Sequence, residues 1–120
     1  MKIIFDIYGG DNAPLAPLKG AEMAVKELGV EIGIVVGGGN FWRGRQGKEM
    51  DRTTADHMGM LATAINALAL QDRFCAAGLD AVVMSAVAMP EFADTFTIRN
   101  AKRALSEGKV VVFACGLGQP

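Results

Sequence analysis

The sequence predicts an α/β fold, a mostly parallel sheet flanked by helices. Two observations carry that expectation. Short β-branched and aromatic runs alternate with helical stretches along the whole chain, strand to helix to strand. Three of the four strand-like runs end directly in glycine loops: Gly9-Gly10, Gly37-Gly38-Gly39 and Gly116-Leu117-Gly118. A length of 120 residues fits a single α/β domain over 1–120, long enough to bury a real core. At 51% hydrophobic with a net charge of −1, the chain is not mainly disordered. The same near-neutral balance argues against a general nucleic-acid binder, which carries a basic excess.

Each element has its own signal. Ile3-Ile4-Phe5-Asp6-Ile7 reads as a strand, stopped by Gly9-Gly10-Asp11-Asn12. Leu18, Ala21, Val25 and Leu28 fall at helical spacing, and Gly29 ends that helix. Val30 to Val36 is a continuous apolar run, as expected of a central strand buried on both faces. A polar loop with Trp42, Arg43, Arg45, Lys48 and Arg52 follows. Thr53 and Asp56, three apart, suggest a capping box for a long helix over 54–74. Apolar residues spread around most of that helix, so it is expected to be buried on more than one side, in the core or in a subunit interface. Gly78 breaks the long helix, and Leu79 to Met84 is a third strand. Thr97 caps a helix bearing Ile98, Ala101, Ala104 and Leu105 on one face, and Gly108 ends it. Val110 to Cys115 is the fourth strand.

The glycine loops point to chemistry. In a parallel sheet the strands' C-terminal ends share one edge, and ligands of open α/β sheets bind there. Bare backbone lets a ligand come close, and exposed N–H groups attract anions. Gly37-Gly38-Gly39 followed by Arg43 and Arg45 favours a phosphate or another anion, although no Walker loop is present. Arg43, Arg45 and Arg52 could clamp phosphates; for Arg45 and Lys48 a solvated basic loop is the better reading. Trp42 is a packing anchor more often than a base-stacking residue. Asp56 either caps its helix or accepts hydrogen bonds from sugar hydroxyls or a base N–H. His57, the only histidine, has no partner ligands, so no metal site is expected; an interface or capping role suits it better. Met58 and Met60 read as packing. Ser85 and Cys75 lack a base for nucleophilic catalysis. Cys75 and Cys115 show no CxxC spacing and are expected to be buried free thiols. That usage fits a reducing compartment, and with no membrane span or signal peptide visible, the expectation is a cytoplasmic protein.

Several segments carry a family resemblance. Val35-Val36-Gly37-Gly38-Gly39-Asn40-Phe41-Trp42-Arg43-Gly44 and Asp51-Arg52-Thr53-Thr54-Ala55-Asp56-His57-Met58-Gly59-Met60-Leu61-Ala62-Thr63 resemble bacterial UMP kinases. Val83-Met84-Ser85-Ala86-Val87-Ala88-Met89-Pro90 and the closing Gly116-Leu117-Gly118-Gln119-Pro120 do so too. The resemblance covers residues 29–120. It implies a partial amino-acid-kinase α/β/α sandwich and transfer of the ATP γ-phosphoryl group to UMP with Mg²⁺. It also implies a homo-oligomer, a dimer through the long helix and hexamers in the family. By motif, Gly38 and Asp56 match positions that contact UMP, and Gly118 and Pro120 sit in the motif lining the UMP pocket. Gly39 and Arg43 match the phosphate-donor side, and Gly9 falls in the phosphate loop. ATP and Mg²⁺ follow from the resemblance alone.

The sequence also departs from that family. Leu117 stands where the family has Thr, and Gln119 where it has Asn. Asp6-Ile7-Tyr8-Gly9 takes the place of a Lys-x-Ser-Gly phosphate loop. A carboxylate there opposes the charge that builds up in phosphoryl transfer, so impaired turnover is expected. Residues 1–28, with Asp6-Ile7-Tyr8-Gly9-Gly10-Asp11-Asn12-Ala13-Pro14 and Lys19-Gly20, resemble instead the start of the phosphate acyltransferase of phospholipid synthesis. The chain thus reads as a chimera that ends ahead of the kinases' ATP-binding half. Two further expectations stay open beside the kinase: a non-catalytic nucleotide- or phosphate-binding module, and a purely structural domain. An acyltransferase is the weaker enzyme alternative.

Overall fold

The computed structural model describes residues 2–7, 23, 29–39 and 49–116. The helix expected over 18–28 lies outside them apart from Met23, which is helical. Strands β1 (Lys2–Ile7), β2 (Glu31–Val36), β3 (Ala81–Ser85), β4 (Asp94–Thr95) and β5 (Val110–Ala114) form one sheet in the order β1-β2-β5-β3-β4. Every pairing is parallel. Helices α1 (Arg52–Ala76) and α2 (Ile98–Ser106) pack on it. The expected class holds: a parallel sheet flanked by helices.

β5 is the sheet's centre. Val110, Val111 and Val112 are fully buried. Successive strand side chains point to opposite faces. Val110, Val112 and Ala114 therefore join Ile32, Ile34, Val83, Leu70 and Phe74 in the core on the α1 side. Val111 joins Met84, Ala101 and Ala104 on the α2 side. Gly33 of β2 leaves room for the Phe113 ring, which reaches within 2.9 Å of where a Cβ would stand. Phe113 meets Phe96 edge to face, with ring centroids 5.8 Å apart.

The sequence expectations shift in six places. The cap of α1 is Asp51, ahead of the expected Thr53–Asp56 box: its carboxylate accepts the Thr54 N–H at 3.0 Å and the Thr54 hydroxyl at 3.2 Å. β4 was not expected; its two residues pair with Met84 and Ser85, and the Phe96 N–H donates to the Ser85 carbonyl at 2.8 Å. Cys75 is exposed while Cys115 is buried; Phe74 takes the inward position, and the next residue turns about 100° away. Met58 stands on the outer surface of α1 rather than in packing. Val35 of β2 is 43% exposed, so that strand is not buried on both faces, and Ile98 is 67% exposed, off the buried face of α2. Thr97 caps α2 by accepting the Asn100 N–H at 3.0 Å, and Gly78 and Gly108 leave the two helices with φ of 89° and 82°. No helix among the described residues is long and apolar enough to cross a membrane.

Candidate functional site

The direction of α1 sets the site. Its C-terminal part meets the start of β3, where the Gln71 side-chain amide donates to the Ala81 carbonyl at 3.1 Å. Its middle turns meet the ends of β2 and β5: Asn66 Nδ2 donates to the Gly37 carbonyl at 2.7 Å, and the Cys115 N–H donates to the Thr63 hydroxyl at 2.8 Å. The helix therefore runs antiparallel to the strands, and its first turns lie at the sheet's C-terminal edge.

Gly38 is seated directly on α1. A Cβ there would stand 2.8 Å from the Ala62 Cβ, 2.9 Å from the Gly59 carbonyl oxygen and 3.0 Å from the Thr63 nitrogen. Only a bare backbone fits. Asp56 lies one turn before Gly59 on the same helix face, since residues three and four apart are neighbours. Its side chain is 27% exposed and pairs with the Arg52 Nε at 3.3 Å. A carboxylate has about four acceptor positions, so Asp56 keeps capacity for ligand hydroxyls or N–H groups beside that partner. The structure thus brings Gly38 and Asp56 to one edge, with Gly39 next to Gly38. Gly9, Arg43, Gly118 and Pro120 lie outside the described residues, as do Trp42, Arg45, Lys48, Leu117 and Gln119. Arg52 faces Asp56 and is 89% exposed.

Beside this edge is a cavity of about 360 Å³ lined by His57, Met60, Leu61, Val87, Met89 and Cys115. His57 is on its wall, and the capping role considered for it belongs to Asp51. Ser85 is fully buried, and its hydroxyl accepts the Val87 N–H at 3.1 Å, which shapes the turn after β3. Among the described residues no three His, Cys, Asp or Glu side chains are grouped to hold a metal ion.

Residues 18–119 match the model of the amino acid kinase family. The chain belongs to the amino acid kinase family. This kinase-family chain is similar to the solved structure of UMP kinase from Ureaplasma parvum, with a TM-score of 0.83 and 30% identity over 100% of its length. It is equally similar in shape to UMP kinase from Bacillus anthracis, with a TM-score of 0.83 and 28% identity over 99% of its length. It spans only about half of each: 56% of the Ureaplasma chain and 54% of the Bacillus chain. The Ureaplasma match takes in residues 1–28, and β1 continues the sheet beside β2. The acyltransferase-like reading of that segment finds no support.

Sequence reasoning missed Thr63 and Asn66. Their signal is visible afterwards: two polar residues three apart, flanked by Ala62, Ala64 and Ala67 on the buried side of α1.

Proposed function

We propose that this chain carries the nucleoside-monophosphate side of a UMP kinase, which transfers the ATP γ-phosphoryl group to UMP and yields UDP. The observation that supports the reading best is the seating of Gly38 on α1 with Asp56 one turn away, at the C-terminal edge of a sheet similar to that of two UMP kinases. Gly38, Asp56, Gly118 and Pro120 hold UMP in this reading. Gly9, Gly39 and Arg43 face the donor phosphates. Asp56 accepts hydrogen bonds from the nucleoside, and Gly38, held against α1, presents its main chain to the nucleotide at the sheet edge. Mg²⁺ would arrive on the ATP phosphates, as this ion usually does.

The chain acts as one cytoplasmic α/β domain and pairs with a second copy through α1. That helix leaves Met58, Leu61, Ile65 and Leu68 exposed. Their spacing of three, four and three residues makes a continuous seam that a second helix can cover.

A second reading, nucleotide binding without turnover, draws on Asp6. It stands in β1 opposite Val35, where the related kinases' resemblance calls for lysine. One pair of measurements separates the readings. UMP titration by calorimetry tests the shared site. UDP formation from ATP and UMP in a coupled assay tests the chemistry. Binding with weak UDP formation fits the kinase lineage with Asp6 opposing transfer. Binding with no UDP supports the second reading, and no binding of UMP removes both.

A further inference from the structure

The buried side of α1 carries two polar side chains one turn apart, and each is engaged by a different loop. Asn66, 3% exposed, donates to the Gly37 carbonyl just past β2. The Thr63 hydroxyl donates to the Met60 carbonyl at 2.6 Å and accepts the Cys115 N–H just past β5. A hydroxyl has one proton. With that proton committed to Met60, only its lone pairs are left to face the Cys115 amide.

Cys115 is where such a tie matters. Its φ is 66°, and Gly116 follows at 53°. A side chain in the left-handed region sits against a steric preference, so the surrounding structure must hold it there. The Cys115 thiol adds a second link to the helix, with Sγ 3.5 Å from the Met60 carbonyl oxygen. On the other side, the Gly38 backbone rests on Gly59, Ala62 and Thr63. The same two turns of one helix therefore grip both loops.

We propose that Thr63 and Asn66 are positioning residues that fix the loops after β2 and β5 to one rigid helix and so set the spacing between two walls of the UMP site. The proposal rests on the UMP reading above. It assigns neither residue a contact with the nucleotide; they act through Gly37-Gly38-Gly39 and Cys115-Gly116.

The test uses the whole chain with Thr63→Val, which keeps shape and removes the hydroxyl, Thr63→Ser, which restores it, and Asn66→Leu. Thr63→Ala replaces the valine variant if circular dichroism shows the latter unfolded. Two quantities are measured: UMP affinity by calorimetry, and hydrogen exchange of the Cys115 amide without ligand. Loss of one hydrogen bond predicts UMP binding about fivefold weaker in Thr63→Val and in Asn66→Leu, and Cys115 exchange about fivefold faster in Thr63→Val. Thr63→Ser stays within about twofold of the parent in both. A melting temperature within about 4 °C of the parent, the fall that one lost hydrogen bond predicts, marks positioning, and a larger fall with the same affinity loss marks general destabilisation and overturns the proposal. Unchanged affinity in Thr63→Val, or no rescue by serine, overturns the proposal. A parent chain that binds no UMP overturns the functional reading instead. The clamp is then judged on exchange alone: faster exchange at Cys115 in Thr63→Val with rescue by serine upholds it, and unchanged exchange refutes it.

Discussion

Replacing Gly38 by alanine puts a methyl group 2.8 Å from the Ala62 Cβ, 2.9 Å from the Gly59 carbonyl oxygen and 3.0 Å from the Thr63 nitrogen. Two of these obstacles are main-chain atoms inside a 25-residue helix and have nowhere to go. Overpacking of this kind costs about 1–3 kcal/mol, and immovable neighbours place Gly38→Ala near the upper end. With an unfolding entropy of about 2.1 cal/mol/K per residue over 120 residues, each kcal/mol lowers the melting temperature by about 4 °C. The expected fall is about 10 °C by differential scanning calorimetry. Gly33→Ala is the matched comparison. Its methyl group meets only the edge of the Phe113 ring, at 2.9 Å, and a half-buried ring can swing aside. Its cost is expected to stay below about 1 kcal/mol. Adding Ala62→Gly to Gly38→Ala removes one obstacle and leaves the two backbone ones, so it restores no stability. Equal melting temperatures for the two glycine variants, or full rescue by Ala62→Gly, would refute the seating of the loop on the helix backbone.

Asp51→Ala is expected to cost about 1 kcal/mol in urea unfolding, the usual loss for an N-cap. Thr53→Ala should change stability by less than about 0.5 kcal/mol, because the Thr54 donors turn to Asp51. Phe74→Ala, at a side chain 1% exposed between α1 and the sheet, is expected to cost about 3–5 kcal/mol. Ile65→Asp, in the exposed seam of α1, should leave the helical circular dichroism intact and shift sedimentation from dimer to monomer. A parent chain that already sediments as a monomer contradicts the seam's role.

The fold was legible in the sequence wherever periodicity or backbone chemistry left one solution. The apolar runs marked four strands, and Gly78 and Gly108 marked helix ends because each takes a φ that other residues avoid. The start of α1 was less legible, since Asp51 and Thr53 are both good capping residues two positions apart. The choice depends on where the Thr54 N–H and hydroxyl point, and that is settled only by the chain's entry into the helix. β4 escaped because two residues have no period; it exists through main-chain bonds to Met84 and Ser85. Cys75 was misplaced because an apolar-rich helix disguises its outer face, and only packing against the sheet decides that Phe74 points inward. Of the candidate site, Gly38 was readable as part of a glycine loop; Asp56 was read as a first-turn carboxylate, but the helix starts at Arg52 and Asp56 stands in its second turn. Their common edge needed the antiparallel course of α1. Thr63 and Asn66 needed the structure altogether, since a polar residue inside an apolar helix acquires meaning only when its partner is known.

Calorimetric titration of UMP into the parent chain and into Asp56→Ala decides whether the edge beside α1 is a UMP site. The Arg52–Asp56 pair is largely exposed, so the substitution should alter stability by less than about 1 kcal/mol. Saturable binding of one UMP per chain is expected, with its loss in Asp56→Ala at a melting temperature within about 4 °C of the parent. No binding by the parent, or equal binding by both, would contradict it.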